Sequence, residues 1–340
     1  MIKAGIIGLG FMGKMHFNCY KAMKSVKIAA ICDIDENKFE NTSGTAGNIS
    51  GAEKPLDLSG INLYSNFDEM LANEKLDVLS ITLPTYLHCE HTIKSLKAGI
   101  NTFCEKPMAM TISECKKMAD AAKASKKLLQ VGHCIRFWPE YAKLKEIIDS
   151  GKYGKVMSAT FQRLSLTPTW SWQNWLLDKN KSGGAALDLH IHDSDYVQYL
   201  FGMPKEVFSQ GAKGPSGDYD HIVTSFLYND GKAITAEGGW IAKPGFGFEM
   251  SFNVMLQKAT ISYDCTRNPA FKIAQDKGKI IIPKVAAGDG YSIELAHFIK
   301  AVNGNSVPDI INPQDSLNSV KIILAEKKSC DSSKKVALKL

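Results

Sequence analysis

The stretch Ile2–Gly13, IKAGIIGLGFMG, decides the N-terminal fold, because an apolar run of strand length leads directly into Gly8-Leu9-Gly10-Phe11-Met12-Gly13. In a turn of this kind the first glycine permits a tight bend, the second lets the backbone approach a pyrophosphate, and the third lets a helix pack on the strand. Asp33 ends the next apolar run at the distance expected of the acid that binds the adenine ribose. The stretch therefore predicts a dinucleotide site whose contacts are Gly8, Gly10, Phe11, Met12, Gly13 and Asp33.

Asp33 also predicts which dinucleotide binds. A carboxylate accepts hydrogen bonds from the ribose hydroxyls of NAD and repels the 2′-phosphate of NADP. The next residue, Ile34, supplies no cation that could offset this repulsion. NAD is therefore the expected cofactor, and NADP is the less favoured one.

Residues 1–133 alternate between segments of strand length and segments of helix length. Thr111-Ile112-Ser113-Glu114 forms a capping box, and Gly99 stands where a helix would end in a left-handed residue. Such alternation predicts a doubly wound parallel sheet of the Rossmann type, with ligands bound at the carboxyl ends of the strands. The predicted strands are Ile2–Ile7, Lys27–Cys32, Leu76–Thr82, Asn101–Cys104 and Leu128–Val131.

Residues 134–340 change to long segments rich in β-branched and aromatic residues. Asn229-Asp230-Gly231 separates two such segments and predicts a hairpin. We therefore predict an α+β domain with a large, open and mainly antiparallel sheet. Its predicted strands are Val156–Leu164, Asp220–Tyr228, Lys232–Trp240, Phe248–Leu256 and Thr260–Tyr263, and its predicted helices are Ala185–Phe201, Ser292–Val302 and Gln314–Lys328.

Composition limits the function classes. The chain has 340 residues, 44% of them hydrophobic, and a net charge of +6 that is spread along its length. The length indicates two domains, and the dispersed charge disfavours a nucleic-acid partner. Eight cysteines without a CxxC pair favour reduced thiols in the cytoplasm. An 18-residue apolar stretch and an export leader are both missing, so we expect no membrane association.

Glu105-Lys106-Pro107 follows a predicted strand, at the sheet edge where a nicotinamide should lie. Lys106 is therefore a candidate catalytic residue. The alternative is a surface lysine in a turn.

The segment Gly183–Asp195 is unusual for a helix because it holds aspartates and histidines, which are poor helix formers. Asp188, His192 and Asp195 have the spacing of one helix face, and Ser182–Pro204 contains no Lys or Arg. An aspartate four residues before a histidine can orient the imidazole and raise its basicity, as a general base requires. A helix cap with a satisfied polar pair is the alternative. A metal site using His190 and His192 is disfavoured, because nicotinamide itself accepts the hydride.

Trp170, Trp172 and Trp175 flank the amides of Gln173 and Asn174. Aromatic faces beside amides suit a sugar ring, which has apolar C–H faces and several hydroxyls. Trp172 and Trp175 are therefore candidate substrate contacts. Core packing or a dimer contact would explain them equally well.

Taken together, these motifs resemble the glucose-fructose oxidoreductase, inositol dehydrogenase and rhizopine-catabolism family over nearly the whole chain. The matching residues are Gly8–Gly13 with His16, Asp33, Leu83–His88, Glu105–Pro107, Gly183-Gly184, Asp188–His192, Phe298 and Asp315.

The resemblance implies catalytic roles for Lys106, Asp188 and His192, and substrate contacts by His192 and by Arg136, whose stretch looks like the family's substrate-side loop. It also implies further cofactor contacts, which we expect at Thr82, Leu83, Pro84, His88, Glu105 and Lys106.

We therefore expect an NAD-dependent oxidoreductase that acts on a hydroxyl-bearing carbon of a sugar or of a cyclic polyol such as an inositol. The resemblance implies a Rossmann domain at 1–133 and a substrate-binding and oligomerisation domain at 134–340, whose last helices pack back towards the first. It also implies a homodimer or homotetramer formed through the C-terminal sheet. A non-catalytic NAD-binding regulator and a glycosidase that uses NAD transiently are the alternatives.

Overall fold

The computed structural model describes residues 1–40, 47 and 55–338, which form two compact units. One unit contains Met1–His133, Trp170–Trp175 and Tyr291–Leu317. The other contains Cys134–Thr169, Leu176–Gly290 and Asn318–Leu340. The two segments 170–175 and 291–317, which follow the predicted boundary after residue 133, thus lie in the first unit.

The first unit is built on a six-stranded parallel sheet in the order β3-β2-β1-β4-β5-β6. This is the Rossmann strand order, in which the crevice for a ligand opens between the ends of β1 and β4. The prediction of a parallel, doubly wound sheet is confirmed. The strands are β1 (Ile2–Ile7), β2 (Val26–Cys32), β3 (Asn62–Tyr64), β4 (Val78–Ile81), β5 (Asn101–Glu105) and β6 (Leu129–Gly132).

Helices connect these strands, and one later helix joins the same core. The helices of this part of the chain are α1 (Phe11–Ala22), α2 (Asn37–Glu40), α3 (Phe67–Asn73), α4 (His88–Lys97) and α5 (Ile112–Ser125). The capping box of Thr111 and Glu114 is present at the start of α5, and Gly99 has φ of +78° after α4. From α9 (Gly290–Val302), Leu295, Phe298 and Ile299 are buried in the apolar core of the parallel sheet.

The second unit is built on a nine-stranded mixed sheet in the order β14-β13-β12-β11-β7-β10-β9-β8-β15. Its described strand pairs are antiparallel except β7 with β10, which confirms the prediction of a mainly antiparallel sheet. The strands are β7 (Val156–Leu166), β8 (Glu206–Lys213), β9 (Tyr219–Leu227), β10 (Ala233–Ala242), β11 (Glu249–Leu256), β12 (Ala259–Asp264), β13 (Phe271–Gln275), β14 (Ile280–Ile281) and β15 (Val336–Ala337).

Helices accompany the sheet of the second unit. They are α6 (Pro139–Asp149), α7 (Lys179–Ser182), α8 (Ile191–Phe201) and most of α10 (Pro313–Ser332). The predicted helix Ala185–Phe201 is in fact a π-helical turn, Ala186–His190, followed by α8. π-helical turns within helices are frequent at functional sites.

Several strands were not predicted. β3 has three residues and β14 and β15 have two each, so they are too short to show an alternating pattern. β8 contains Gly211 and four consecutive exposed residues at its end, which weakens its strand signal.

Among the described residues, no helix combines the length and apolarity that crossing a membrane requires.

Candidate functional site

The glycine turn after β1 has the geometry that a dinucleotide requires. Gly8 has φ of +91°, and a Cβ there would lie 2.7 Å from the carbonyl oxygen of Thr82. A Cβ on Gly13 would lie 1.9 Å from the carbonyl oxygen of Gly8, so helix α1 packs on the turn only with glycine. Packing against the described residues does not explain Gly10, because a Cβ there would meet none of their atoms within 4 Å. This open space above the backbone is where a pyrophosphate fits.

Asp33, at the end of β2, is the predicted ribose acid. Its Oδ2 accepts from the backbone N–H of Leu9 at 2.6 Å, which ties it to the glycine turn. Lys38 of α2 donates to both carboxylate oxygens, at 3.0 and 2.8 Å. Lys38 was not predicted, because only Ile34, the residue directly after Asp33, was the expected place for a replacement cation. The sequence feature that indicates Lys38 is the presence of a lysine about one helical turn after the ribose acid.

The loop after β4 holds Thr82, Leu83 and Pro84 beside the glycine turn, and His88 is the first residue of the following helix, α4. The Thr82 hydroxyl lies 2.9 Å from the carbonyl oxygen of Ile7 and 2.7 Å from that of Gly8. The loop thus lies along the crevice between β1 and β4, where the resemblance places cofactor contacts.

His88 joins two loops. Its Nε2 lies 2.7 Å from the carbonyl oxygen of Leu83, and its Nδ1 lies 2.8 Å from that of Pro107. Burial lowers the pKa of His88, although the two carbonyl oxygens act in the opposite direction. The ring therefore fixes the backbone around Lys106 relative to the loop after β4.

Glu105 is buried at the end of β5 and lies next to His16 of α1. Oε1 of Glu105 is 2.9 Å from Nε2 of His16, and both side chains are almost fully buried. Lys106 follows as a partly exposed residue between buried Glu105 and buried Pro107. Phe11 and Met12, the first residues of α1, are also partly exposed at this end of the sheet. The structure thus gathers the predicted cofactor contacts at one sheet edge of the first unit.

In the second unit, the π turn and α8 present two polar side chains. Every residue from Ser182 to Gln198, a fully described stretch, is buried except Asp188 and His192. These are the two residues that the sequence predicts as an orienting acid and a general base.

Buried polar residues of the same segment have partners on two other elements, β7 and α10. Asp193 accepts from Arg163 of β7 at 2.8 and 3.1 Å. Ser194 donates to Glu326 of α10 at 2.8 Å, and Nε2 of His190 lies 3.1 Å from the other oxygen of Glu326. Among the described residues, no cluster of three or more His, Cys, Asp or Glu side chains has the arrangement of a metal site.

The predicted substrate contacts lie in different settings. Arg136 is 2% exposed and forms a bidentate ion pair with Asp195, and its guanidinium lies 4.7 Å from the ring centre of Tyr199. Trp172 is partly buried in the first unit, and its ring centre lies 5.6 Å from Nζ of Lys38. Trp175 is also partly buried. Substrate contact by these three residues stays a prediction.

The fold and the dinucleotide crevice define a Rossmann-type oxidoreductase. Residues 2–133 match the model of an oxidoreductase family with an NAD-binding Rossmann fold, and residues 141–262 match the GFO/IDH/MocA C-terminal domain. The chain therefore belongs to the GFO/IDH/MocA oxidoreductase family, as its motifs indicated.

Three similar proteins illustrate the family. Myo-inositol 2-dehydrogenase of Thermotoga maritima is 26% identical over 99% of this chain and 98% of its own. A 2,7-anhydro-N-acetylneuraminate hydratase of Mediterraneibacter gnavus is 30% identical over 69% of this chain and 60% of its own. The solved structure of levoglucosan dehydrogenase with NADH and levoglucosan has a TM-score of 0.84 at 23% identity, covering 100% of both chains.

Proposed function

We propose that this chain is an NAD-dependent dehydrogenase that transfers a hydride between nicotinamide and a secondary hydroxyl or carbonyl carbon of a sugar or cyclic polyol. The inositol dehydrogenase of Thermotoga maritima, which aligns along nearly its whole length, supports the substrate class. The open space at Gly10 and the position of Asp33 support the cofactor.

The observation that carries the proposal is the exposure pattern of the π turn and α8. Burying aspartate and histidine is unfavourable unless they are paired, and the deeply buried His190, Asp193 and Asp195 lie 2.7–3.1 Å from charged partners. Asp188 and His192 instead keep part of their surface open, four residues apart. A carboxylate four residues before an imidazole can orient the ring, so this spacing supports His192 as the base.

Each residue has one role in the proposed reaction. His192 accepts the hydroxyl proton of the substrate, and Asp188 orients the ring and stabilises the imidazolium that forms. Lys106 donates a hydrogen bond to the developing alkoxide oxygen. Bound NAD supplies the hydride acceptor, and Gly8–Gly13 with Asp33 hold it.

The test is a screen for NAD reduction with inositols, aldoses and nucleotide sugars, run on wild type and on His192→Gln. We expect at least one sugar or polyol to yield NADH with wild type and a loss of roughly 10²-fold to 10⁴-fold in the variant. His91→Gln is the matched control, because His91 lies on α4 with its ring against Phe67. Full activity of His192→Gln would overturn the assignment of the base.

A reaction without net oxidation is the second candidate, and the similarity to a protein named a hydratase favours it. Such an enzyme would retain NAD through purification and convert its substrate without accumulating NADH. Product analysis beside the absorbance of NADH separates the two cases.

We also propose that the nine-stranded sheet forms a homodimer or homotetramer. Val223 of β9, Ile241 of β10 and Met255 of β11 lie on one sheet face and are 43%, 37% and 40% exposed. A depression of about 470 Å³ beside Ile241 is lined by Leu164, His221 and Phe246. Isologous packing of this face against a second copy would bury these apolar groups.

The solution mass from multi-angle light scattering tests the assembly. Ile241→Asp should lower the mass towards that of a monomer. Ile112→Asp, at a comparably exposed isoleucine at the start of α5 in the first unit, should not. A monomeric wild type would exclude the assembly. We also propose a cytoplasmic location, because none of the eight cysteines, all of them in the described residues, forms a disulfide.

A further inference from the structure

Lys38 binds Asp33, the acid that is expected to decide between NAD and NADP. Its Nζ lies 2.8 Å from Oδ2 and 3.0 Å from Oδ1 of Asp33, whose side chain is only 4% exposed. Asp33 also accepts from the N–H groups of Leu9, through Oδ2, and Asp35, through Oδ1. A ribose hydroxyl that donates to this carboxylate must therefore share it with Lys38 or displace the ammonium.

The charge near Asp33 is not that of an isolated carboxylate. Lys14, from the first turns of α1, is 3% exposed. Burial lowers the pKa of Lys14, and the Lys38 ammonium lowers it further. Asp35 adds a second carboxylate to this loop, but its oxygen accepts from the Asn37 amide, whereas the Lys38 ammonium binds Asp33 directly. The repulsion that a 2′-phosphate would meet from Asp33 alone is therefore offset by Lys38.

A second contact keeps Lys38 in place. The ring centre of Trp172 lies 5.6 Å from its Nζ, which is within the range of a cation–π interaction. Its side chain is nevertheless 23% exposed, so the ammonium remains accessible to a ligand. Lysine is a common partner of phosphate groups because it carries a compact charge with three donors.

We propose that Lys38 is a specificity residue that raises the affinity for NADP, so that the site accepts NADP as well as the NAD that Asp33 favours. In the free protein the ammonium neutralises Asp33, and with NADP bound it donates to the 2′-phosphate. The inference rests on the proposed function only in requiring that a dinucleotide binds.

The test is calorimetric measurement of the Kd for NAD and for NADP, which requires no substrate and no turnover. Lys38→Met should raise the Kd for NADP by roughly tenfold to a hundredfold, the range of one charge-assisted hydrogen bond, and leave the Kd for NAD near the wild-type value. Lys38→Arg keeps the charge and should retain most of the NADP affinity. Lys21→Met is the matched control, because Lys21 is 57% exposed and lies 3.9 Å from Asp57.

An unchanged ratio of the two Kd values in Lys38→Met would overturn the inference. An equal loss of NADP affinity in the Arg and Met variants would also overturn it, since the effect would then be structural. If wild-type protein binds NAD, either of these outcomes overturns the inference about Lys38 and leaves the proposed function intact. Wild-type protein that binds neither dinucleotide would remove both.

Discussion

Arg136 and Asp195 form a buried bidentate ion pair, with Nε 2.8 Å from Oδ2 and Nη2 2.7 Å from Oδ1. Ser319 of α10 donates to the same carboxylate at 2.7 Å. Together with Asp193 bound to Arg163 and Ser194 bound to Glu326, three consecutive residues of α8 are fixed by different elements. The helix is therefore held in one rotation about its axis, which determines where Asp188 and His192 are exposed.

Arg136→Met should strongly destabilise the second unit, because it leaves the Asp195 carboxylate buried without its cation. We expect a loss of roughly 3–5 kcal/mol in the free energy of unfolding, measured by urea denaturation. Lys143→Met removes a surface ion pair with Glu146, which is 68% exposed, and should change the free energy of unfolding by at most about 1 kcal/mol. A stable Arg136→Met with a raised KM would instead favour the predicted substrate contact.

His88 should make the protein less stable in acid. Burial lowers the pKa of His88 in the folded state below the ordinary value of 6.5. Between these two pKa values the histidine is protonated in the unfolded chain but neutral in the native protein. The contribution of neutral His88 to the free energy of unfolding is present above pH 6.5 and is lost as the pH falls from 6.5 through the folded pKa. The free energy of unfolding should fall by at most about 1.4 kcal/mol per pH unit from this group.

His88→Gln should remove that part of the slope, whatever its effect on absolute stability. Equal slopes for wild type and His88→Gln between about pH 7 and pH 5 would exclude His88 as the source.

The sequence predicted those features that depend on local pattern. Gly8, Gly13 and Asp33 follow from spacing, and the hairpin at Asn229-Asp230-Gly231 follows from turn chemistry. Long-range partners carried no local signal: Arg163 and Glu326 approach α8 from strands and helices far away in sequence. For the same reason the ion pair of Arg136 with Asp195 was not predicted, and substrate contact by Arg136 stays a prediction. Lys38 was not predicted because its contact with Asp33 depends on the short helix α2, which the sequence pattern did not indicate.

Asp33 should make NAD the preferred dinucleotide in turnover. Asp33→Asn keeps an acceptor for the Leu9 N–H but removes the negative charge. The ratio of kcat/KM for NAD to that for NADP should fall by an amount equivalent to about 1.5–3 kcal/mol. Glu36→Gln, which changes an exposed acid of the same loop, is the control. A wild-type kcat/KM that is equal or higher with NADP would contradict the prediction.

Lys106→Met should lower kcat while leaving the Kd for NAD nearly intact, because the proposed hydrogen bond strengthens only as charge develops on the substrate oxygen. We expect a loss of roughly 10²-fold to 10³-fold, as for other donors to a developing oxyanion. Lys116→Met, at an exposed position of α5, is the control. Cofactor titration and steady-state turnover separate binding from chemistry, and wild-type kcat in the variant would remove Lys106 from the mechanism.

Asp188 and His192 should behave as one catalytic unit. If His192 is the base, only its neutral form accepts the alcohol proton, so kcat/KM for oxidation should fall in acid and reduction should show the opposite preference. His192→Gln keeps hydrogen bonding but cannot accept that proton, and should lose the acidic limb with roughly 10²-fold to 10⁴-fold in rate.

Asp188→Asn should act through the same ring, by allowing the wrong tautomer and by weakening the imidazolium. The double variant should therefore lose far less activity than the product of the two single losses. The measurement is a pH–rate profile in both directions for wild type and the three variants, with unfolding curves to show that each remains folded. If the losses in the double variant multiply, Asp188 and His192 act independently. If the acidic limb survives in His192→Gln, another residue is the base and this helix has a structural role.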